Sequence, residues 1–436
     1  MRFQTHRPAS WQACIACGNE VVETDSRPRC AQCGGLLELH HRPPAITPAE
    51  LIQRFTERRG SAPGATASGV WRFREIVLPS ADTVVSHPEG NTPLLHRVAL
   101  DRWAGLDHLL FKHEGHNPTG SFKDRGMTVG VTQAKRIGAT AVACASTGNT
   151  SASLAAYASQ AGLPALVMVP LDGVASGKLA QALAYGAKTL LVRGDFDDCM
   201  RLVEEAGDRL GVYLLNSINP FRIEGQKTIV LELLQQLAWE SPDWIVLPAG
   251  NLGNTAAFGK ALREARQWGL ISRLPRLVAV QAAGAAPFAQ SFAEGFVRPH
   301  RVKAETVATA IKIGNPASYD RAVQAITETN GLVLSVTDPE LLEAKAAIDA
   351  SGVGCEPASA VTLAGLRNLV GTGVVKPSDR VVAILTGHVL KDPGLLLHYH
   401  QEMEPPPASA NRPIVIDASV SEIERVLSTT NVRGKR

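Results

Sequence analysis

The chain has 436 residues, of which 45% are apolar and 19% are charged, and this length is enough for more than one domain with its own core. Its 44 basic and 41 acidic residues give a formal net charge of +3, which argues against nucleic acid or an anionic membrane as a partner. No segment reaches the roughly 18 uncharged apolar residues of a membrane span, and residues 1–12 lack the apolar core of a secretory signal. We therefore expect a cytoplasmic protein that binds neither nucleic acid nor membrane.

The first predicted module is a cysteine-rich segment that extends to about His41. Four of the seven cysteines form two C-x2-C pairs separated by twelve residues: Cys14, Cys17, Cys30 and Cys33. Two such pairs supply four thiolates to a closed, structural zinc site, which stabilises a module too small for its own core. The alternative is a set of thiols without metal, either redox-active or no longer used. In neither case does the module indicate what reaction the protein catalyses.

Strands and helices alternate from Leu109 onward, after a Pro- and Gly-rich stretch with one predicted helix over 48–58. Uniformly apolar runs such as Ala141–Ala145 and Val381–Leu385 are typical of strands buried on both faces of a parallel sheet. They alternate with predicted helices, for example over 197–210 and 225–239, and this indicates an α/β fold. Ligands of such sheets bind where strands end and helices begin.

The loop from His113 to Gly126 joins a predicted strand to a helix and places Lys123 in the first helical turn. The positive end of the helix dipole and the nearby Arg125 both disfavour a charged ammonium, so we expect Lys123 to have a lowered pKa. A readily deprotonated amine is what an imine with a carbonyl cofactor requires. The alternative is a solvated lysine beside Asp124, and the residues alone leave the question open.

Three further junction loops contain groups suited to anions or to a cofactor. The loop over 146–153 offers five hydroxyls, more than a helix N-cap needs, and predicts a carboxylate site. The loop over 248–255 has glycines that let its backbone surround a single phosphate, although an ordinary tight turn is an equal alternative. Its spacing matches neither the dinucleotide nor the nucleoside-triphosphate motif. In the loop over 385–388, Thr386 either bonds a ring nitrogen or simply ends a strand.

Together these segments resemble the threonine synthases, a family in the fold-type II group of pyridoxal-phosphate (PLP) enzymes. The matching segments, in the family's order, are Glu89–Leu94, Asn117–Gly126, Ser146–Ser151, Asn219–Lys227, Pro248–Asn254, Ile313–Ser318, Cys355–Ala360 and Leu385–Pro393. The last four segments favour threonine synthase within the fold group. Val389 stands where the family has glycine, and residues after about 400 have no match.

The resemblance implies an α/β fold like that of the tryptophan synthase β subunit, with two open parallel-sheet domains and an N-terminal zinc-ribbon-like module. The implied limits are 1–41 for the zinc-ribbon-like module, 42–118 for the first part of the large domain, 119–220 for the small α/β domain, 221–400 for the large PLP-binding domain and 401–436 for a C-terminal tail. Family members are commonly dimers, so we expect a homodimer.

The resemblance also implies residue roles. Lys123 holds PLP as an imine and then moves protons. The other implied cofactor contacts are Asn149 at the phenolic oxygen, Thr386 at the ring nitrogen, and Gly250, Asn251, Leu252, Gly253 and Asn254 at the phosphate. The candidate substrate ligands are Asn216, Ser217 and Arg222 for a phosphate, and Ser146, Thr147 and Thr150 for a carboxylate. Structural zinc is the second implied cofactor.

The implied reaction converts O-phospho-L-homoserine and water into L-threonine and phosphate. The nearest alternatives are a threonine or serine dehydratase and a β-replacement enzyme such as a cysteate synthase. Arg222 distinguishes a dehydratase from an enzyme of the implied reaction, because a dehydratase has no substrate phosphate to bind. An alternative of another class is a zinc-ribbon binding protein with an inactive PLP-like body, against which the near-neutral charge argues.

Overall fold

The computed structural model describes residues 8–60, 64–171 and 176–433, in two compact units of which the first ends at Asp392. The strands of the first unit are β1 (Ser10–Cys14), β2 (Glu20–Val22), β3 (Leu37–His41), β4 (Leu94–His96), β5 (Leu109–His113), β6 (Ala141–Ala145), β7 (Ala165–Pro170), β8 (Lys188–Val192), β9 (Val212–Leu214), β10 (Trp244–Pro248), β11 (Arg276–Ala282), β12 (Leu332–Val336) and β13 (Val381–Leu385). Its α-helices are α1 (Pro48–Arg59), α2 (Val98–Ala104), α3 (Lys123–Arg136), α4 (Asn149–Ala161), α5 (Ser176–Ala184), α6 (Phe196–Leu210), α7 (Pro220–Gln236), α8 (Gly253–Gln267), α9 (Pro287–Ala293), α10 (Tyr319–Glu328), α11 (Asp338–Ala350) and α12 (Pro357–Gly371).

These strands form three sheets. A small antiparallel sheet has the order β2-β1-β3, with Cys14 at the end of β1 and the other three ribbon cysteines in the connections between its strands. A four-stranded sheet, β8-β7-β6-β9, is parallel throughout. The six-stranded sheet, β12-β11-β10-β13-β5-β4, is parallel except for the edge pair β4–β5. The predicted fold class, two open parallel sheets with an N-terminal ribbon, is confirmed, whereas the domain limits stay predictions.

Burial explains why the sequence forms these sheets. Every residue of β6, β10 and β13 is buried, as expected for parallel strands covered by helices on both faces. Two large apolar clusters lie on opposite faces of the six-stranded sheet, and alternate residues of β10 belong to one or the other. The edge strand β8 differs, because Leu190 and Leu191 are exposed. The prediction of strands buried on both faces is wrong for this one.

Helix α7 begins at Pro220, five residues before the predicted start at residue 225, and that prediction is therefore wrong. Asn219 is the N-cap, and its Oδ1 accepts hydrogen bonds from the backbone N–H groups of Phe221 (3.0 Å) and Arg222 (3.3 Å). An Asn cap followed by proline in the first turn is a favourable helix start. As a result, Arg222 lies in the first turn of α7 rather than in a loop.

Helices α3 and α7 approach each other with their backbones in contact. A Cβ at Gly225 would collide with the carbonyl group of Arg125, and one at Gly126 would lie 3.0 Å from the carbonyl oxygen of Arg222. Only glycine fits at such a crossing. This close approach brings the start of α3, with Lys123, beside the start of α7, with Arg222.

The ribbon is bound to both parallel-sheet regions of the first unit. Leu36 packs in the apolar cluster of β6, β9 and α6. On β3, the Nε2 of His41 lies 2.8 Å from the Oε2 of Glu224 on α7, and both side chains are fully buried. Glu224 also pairs with Lys227 and Lys260, and Lys260 donates to the Leu39 carbonyl of the ribbon. The ribbon is thus part of the packed body.

The second unit begins at Pro393 and is described by itself. It contains α13 (Pro393–Leu397), one π-helical turn at His398–Glu402, and α14 (Val420–Arg433). Helix α14 lies within the segment that the sequence analysis gives as a C-terminal tail, 401–436. Over the parts of both units that the structure describes, no helix has the length and apolar character needed to cross a bilayer.

Candidate active site

The structure places Lys123 at the first position of α3, as predicted, with its loop held against the end of β13. The Phe122 N–H donates to the Thr386 carbonyl (3.0 Å), and the His388 N–H donates to the Gly120 carbonyl (2.9 Å). Gly120 has φ +84°, a backbone conformation that glycine adopts without strain. Residues far apart in the chain, Lys123 and Thr386, therefore share one site.

The environment of Lys123 favours the neutral amine. Burial is the largest cause and lowers the pKa of Lys123 to about 7, with the positive charges of Arg222 and Lys391 acting in the same direction and Glu356 opposing them. The side chain remains half-buried by accessible surface. The predicted direction of the pKa shift agrees with the structure, and the amine suits an imine with a carbonyl cofactor.

The predicted contribution of Arg125 to that shift is wrong. Its guanidinium forms fully buried ion pairs with Glu114 (Nε–Oε2 2.7 Å) and Glu232 (Nη2–Oε1 2.9 Å). Proximity in sequence suggested a neighbour for Lys123, but side chains two positions apart on a helix point in different directions. Arg125 instead links the turn after β5 to α7 through these two carboxylates.

Arg222 is a buried cation without a carboxylate partner. It is 1% exposed, and burial lowers the pKa of its guanidinium to about 10. One nitrogen donates to the Leu215 carbonyl (3.0 Å), whereas Nε has no hydrogen-bond partner within residues 8–60, 64–171 and 176–433. In the described part of the chain, no Asp or Glu oxygen lies within 4.0 Å of it. A buried charge left in this state costs free energy, so the site is suited to an anionic ligand.

Asn216 and Ser217, the other candidate phosphate ligands, lie beside Arg222 but are already engaged. The Asn216 amide bonds the N–H and the carbonyl of Ala145, both at 3.0 Å, and so holds the end of β6. The Ser217 hydroxyl lies 2.5 Å from the Nδ2 of Asn251 in the predicted phosphate loop. Their contact with a substrate phosphate stays a prediction.

The candidate carboxylate loop leads into α4, and its residues 146–150 are half-buried. Helix α4 begins at Asn149 after Gly148, and no side chain caps its free N–H groups. Ser146 accepts from the Gly148 N–H (3.2 Å), while the hydroxyls of Thr147 and Thr150 have no hydrogen bond among the described residues. Open N–H groups and free hydroxyls at a helix start favour an anion.

The candidate phosphate loop precedes α8. Leu252 has φ +63°, and again no side chain caps the helix. A Cβ at Gly250 would lie 2.9 Å from Ile311 Cα, so the loop backbone fits tightly there, while Asn254 accepts from the Gln226 amide (2.6 Å). Thr255, which the sequence analysis did not select, has a buried hydroxyl without a hydrogen-bond partner among the residues that the structure describes. The open helix start and this orphaned donor fit a bound phosphate group.

Asn149 and Thr386, the candidate contacts of the cofactor ring, are joined by a residue that the sequence analysis also missed. The Asn149 amide and the Thr386 hydroxyl donate to the two carboxylate oxygens of Glu356, each at 2.8 Å. Glu356 lies in one of the family-like segments, Cys355–Ala360, and that was the available signal. Its contacts connect residues 149, 356 and 386, which no local pattern relates.

The four ribbon cysteines converge on one point. Their sulfur atoms all lie within 4.8 Å of one another, with Sγ–Sγ distances of 3.4 Å (Cys14–Cys33), 3.7 Å (Cys17–Cys30) and 3.3 Å (Cys17–Cys33). Zinc with Zn–S bonds of about 2.3 Å separates tetrahedral sulfurs by roughly 3.8 Å. A Cβ at Gly35 would lie 2.8 Å from Cys14 Sγ. The cluster therefore fits a structural zinc ion.

Comparison with known proteins defines the class of enzyme to which this chain belongs. The family model described as pyridoxal-phosphate dependent enzyme matches residues 85–387, which include Lys123, the loops over 146–153 and 248–255, and Thr386. The orphaned Thr255 hydroxyl and the low-pKa Lys123 fit such a cofactor. The predicted PLP cofactor and the predicted PLP-dependent lyase are confirmed.

Relatives narrow the class further. The threonine synthase of Methanosarcina acetivorans is 44% identical over 95% of this chain and 98% of its own length, and that of Methanocaldococcus jannaschii is 42% identical over 95% and 99%. The Escherichia coli threonine synthase structure has a TM-score of 0.67 at 18% identity, over 96% of this chain and 100% of its own. Maize serine racemase has a TM-score of 0.62 at 22% identity, over 76% of this chain and 95% of its own, and shares the fold. The chain belongs to the threonine synthases.

Proposed function

We propose that this enzyme converts O-phospho-L-homoserine and water into L-threonine and phosphate. Arg222 is the observation that supports this substrate most directly, because a buried guanidinium with a free Nε and no carboxylate needs an anion. Its planar fork suits a phosphate, which it can bind through two parallel hydrogen bonds. A substrate without a phosphate would leave this charge unpaired.

The residues around Lys123 would hold the cofactor. Asn149 and Thr386 would face its ring. Residues 250–254 and the Thr255 hydroxyl would bind its phosphate, and Lys123 would bond its carbonyl carbon. When bound, PLP withdraws electrons from the substrate carbon that loses a proton.

Lys123 is suited to move protons between substrate carbons. With a pKa of about 7, its Nζ is populated in both the neutral and the protonated form at neutral pH. A neutral Nζ accepts a proton from one carbon, and the ammonium returns a proton to another. Matching the pKa of a general base to the working pH maximises both transfers.

Two anion sites would orient the substrate around Lys123. The carboxylate is assigned to the start of α4, with the hydroxyls of Ser146, Thr147 and Thr150. The phosphate is assigned to Arg222, whose charge also stabilises the leaving phosphate, with Ser217 nearby. A substrate held at both ends presents the carbons between them to Lys123, which is the positioning that elimination of the phosphate requires.

Substitution of Arg222 tests this assignment. In Arg222→Ala we expect PLP to stay bound, while kcat/KM for O-phospho-L-homoserine falls about 10²- to 10³-fold, the cost of removing one partner of a buried charged pair. Arg321→Ala is the matched control, because Arg321 is a buried arginine that donates to the Leu37 carbonyl of the ribbon and also has unpartnered nitrogens. Unchanged kcat/KM in Arg222→Ala, or a wild-type enzyme that deaminates threonine but ignores O-phospho-L-homoserine, would contradict the proposal.

We also infer a homodimer, a cytoplasmic location and a structural zinc ion. The family resemblance supports the first two, and the geometry of the four-cysteine cluster supports the third. Light scattering of the purified enzyme and its zinc content test the dimer and the metal, with one zinc per chain expected.

A further inference from the structure

Glu356 lies between the two ends of the proposed cofactor ring site. Its Oε2 accepts from the Nδ2 of Asn149 at the start of α4 (2.8 Å), and its Oε1 accepts from the hydroxyl of Thr386 at the end of β13 (2.8 Å). The residue is only 3% exposed. One carboxylate therefore joins a loop of the four-stranded sheet to a loop of the six-stranded sheet.

Local structure does not account for this carboxylate. Glu356 is the N-cap residue of α12, yet its side chain does not cap that helix. Within the described residues its oxygens contact an amide and a hydroxyl rather than a cation at salt-bridge distance. The chain makes room for it at Gly387, where a Cβ would lie 2.5 Å from Oε2 and 2.7 Å from Oε1. Burying a carboxylate in this way costs free energy, so a role beyond folding is indicated.

We propose that Glu356 is a positioning residue for the cofactor, holding Asn149 and Thr386 in the orientations in which they face the phenolic oxygen and the ring nitrogen. The inference rests on the proposed function. One amide N–H of Asn149 is committed to Glu356, which leaves the second N–H for the phenolic oxygen. Thr386 gives its only proton to Glu356, so it presents an accepting oxygen towards the ring nitrogen, and Ser359 lies 2.9 Å from the same hydroxyl. Both side chains are thereby fixed before a cofactor is bound.

Glu356 also contributes a negative charge that acts on Lys123. Arg222 on α7 and Lys391 after β13 lower the pKa of Lys123 together with burial, and Glu356 opposes them. The same charges would act on PLP bound at Lys123, which absorbs visible light. Removing the carboxylate charge leaves a more positive surrounding, in which the chromophore releases its proton at lower pH.

Glu356→Gln tests the inference, because it removes the charge and one acceptor at nearly constant size. We expect the dissociation constant for PLP, measured by adding PLP to the apoenzyme, to rise about tenfold or more, the loss expected for a hydrogen bond to a charged acceptor. We expect the pH midpoint of the absorbance change of the bound cofactor to fall by about one unit. Glu343→Gln, which alters an exposed glutamate paired with Arg367, is the control and should titrate like the wild type.

Glu356→Asp separates geometry from charge and provides the test if the Gln variant does not fold. Aspartate keeps the charge but is one methylene too short to bridge Asn149 and Thr386, so we expect weaker PLP binding with a smaller shift of the midpoint. Wild-type values for both quantities in the variants that fold would overturn the inference. Turnover of O-phospho-L-homoserine by the wild type is measured in parallel, and its absence would contradict the proposed function alone, since the spectral comparison needs only bound PLP.

Discussion

The crossing of α3 and α7 should be the part of the fold least tolerant of an added methyl group. Gly225→Ala places a Cβ against the carbonyl group of Arg125 and close to Gly126 Cα, which are backbone atoms that cannot rotate away. The substitution gains about 1 kcal/mol of helix propensity, whereas overpacking costs about 1–3 kcal/mol and is greatest where backbone must move. Gly371→Ala, near the end of α12, meets no atom within 4 Å and should be neutral or slightly stabilising.

We therefore expect Gly225→Ala to be destabilised by up to about 2 kcal/mol in urea unfolding, with a lower Tm. Because the crossing sets the distance between Lys123 and Arg222, we also expect kcat/KM to fall more than stability alone explains, at temperatures where the variant is fully folded. The assay compares unfolding and kinetics for the wild type, Gly225→Ala and Gly371→Ala. Equal stability of the wild type and Gly225→Ala would refute the close backbone contact on which this reasoning depends.

Three further predictions concern the ribbon and Lys123. His41→Ala should destabilise the enzyme by about 2 kcal/mol in urea unfolding, because it removes a buried partner of Glu224. His40→Ala, which alters a half-exposed neighbour, is the control and should change the stability little. Equal effects of the two substitutions would contradict the contact between the ribbon and α7. Removing zinc with a chelator should lower Tm, and adding zinc back should restore it; an unchanged Tm after verified metal loss would contradict a structural site. The rate of PLP binding to the apoenzyme should rise with pH and level off just above about 7, because the neutral amine of Lys123 reacts; a rate still rising toward pH 10 would indicate an ordinary lysine.

The strands and the junction loops were accessible from sequence because each depends on local residues. The apolar runs of β6 and β13 match the structure residue for residue, since strands buried on both faces tolerate little else. Lys123 at the start of α3 follows from the turn residues before it. The start of α7 was missed because apolar periodicity does not reveal a cap, although Asn219 followed by proline is a recognisable helix start.

The rest of the site depends on contacts between distant residues. Glu356 reads in sequence as a glutamate before a helix, and only the fold brings Asn149 and Thr386 to its two oxygens. The free Nε of Arg222 is likewise a property of the packed interior. Arg125 shows the converse, because its sequence position suggested an influence on Lys123 and its side chain proved to be committed to two carboxylates.

The most direct test of the central claim is a single assay on the purified enzyme with O-phospho-L-homoserine, in which the absorption spectrum, released phosphate and threonine are followed together. We predict a yellow protein whose colour is lost on borohydride reduction of the bond to Lys123, and which releases phosphate and threonine in equal amounts. A yellow protein that releases neither product from this substrate would contradict the proposed reaction and the assignment of Arg222 to a substrate phosphate.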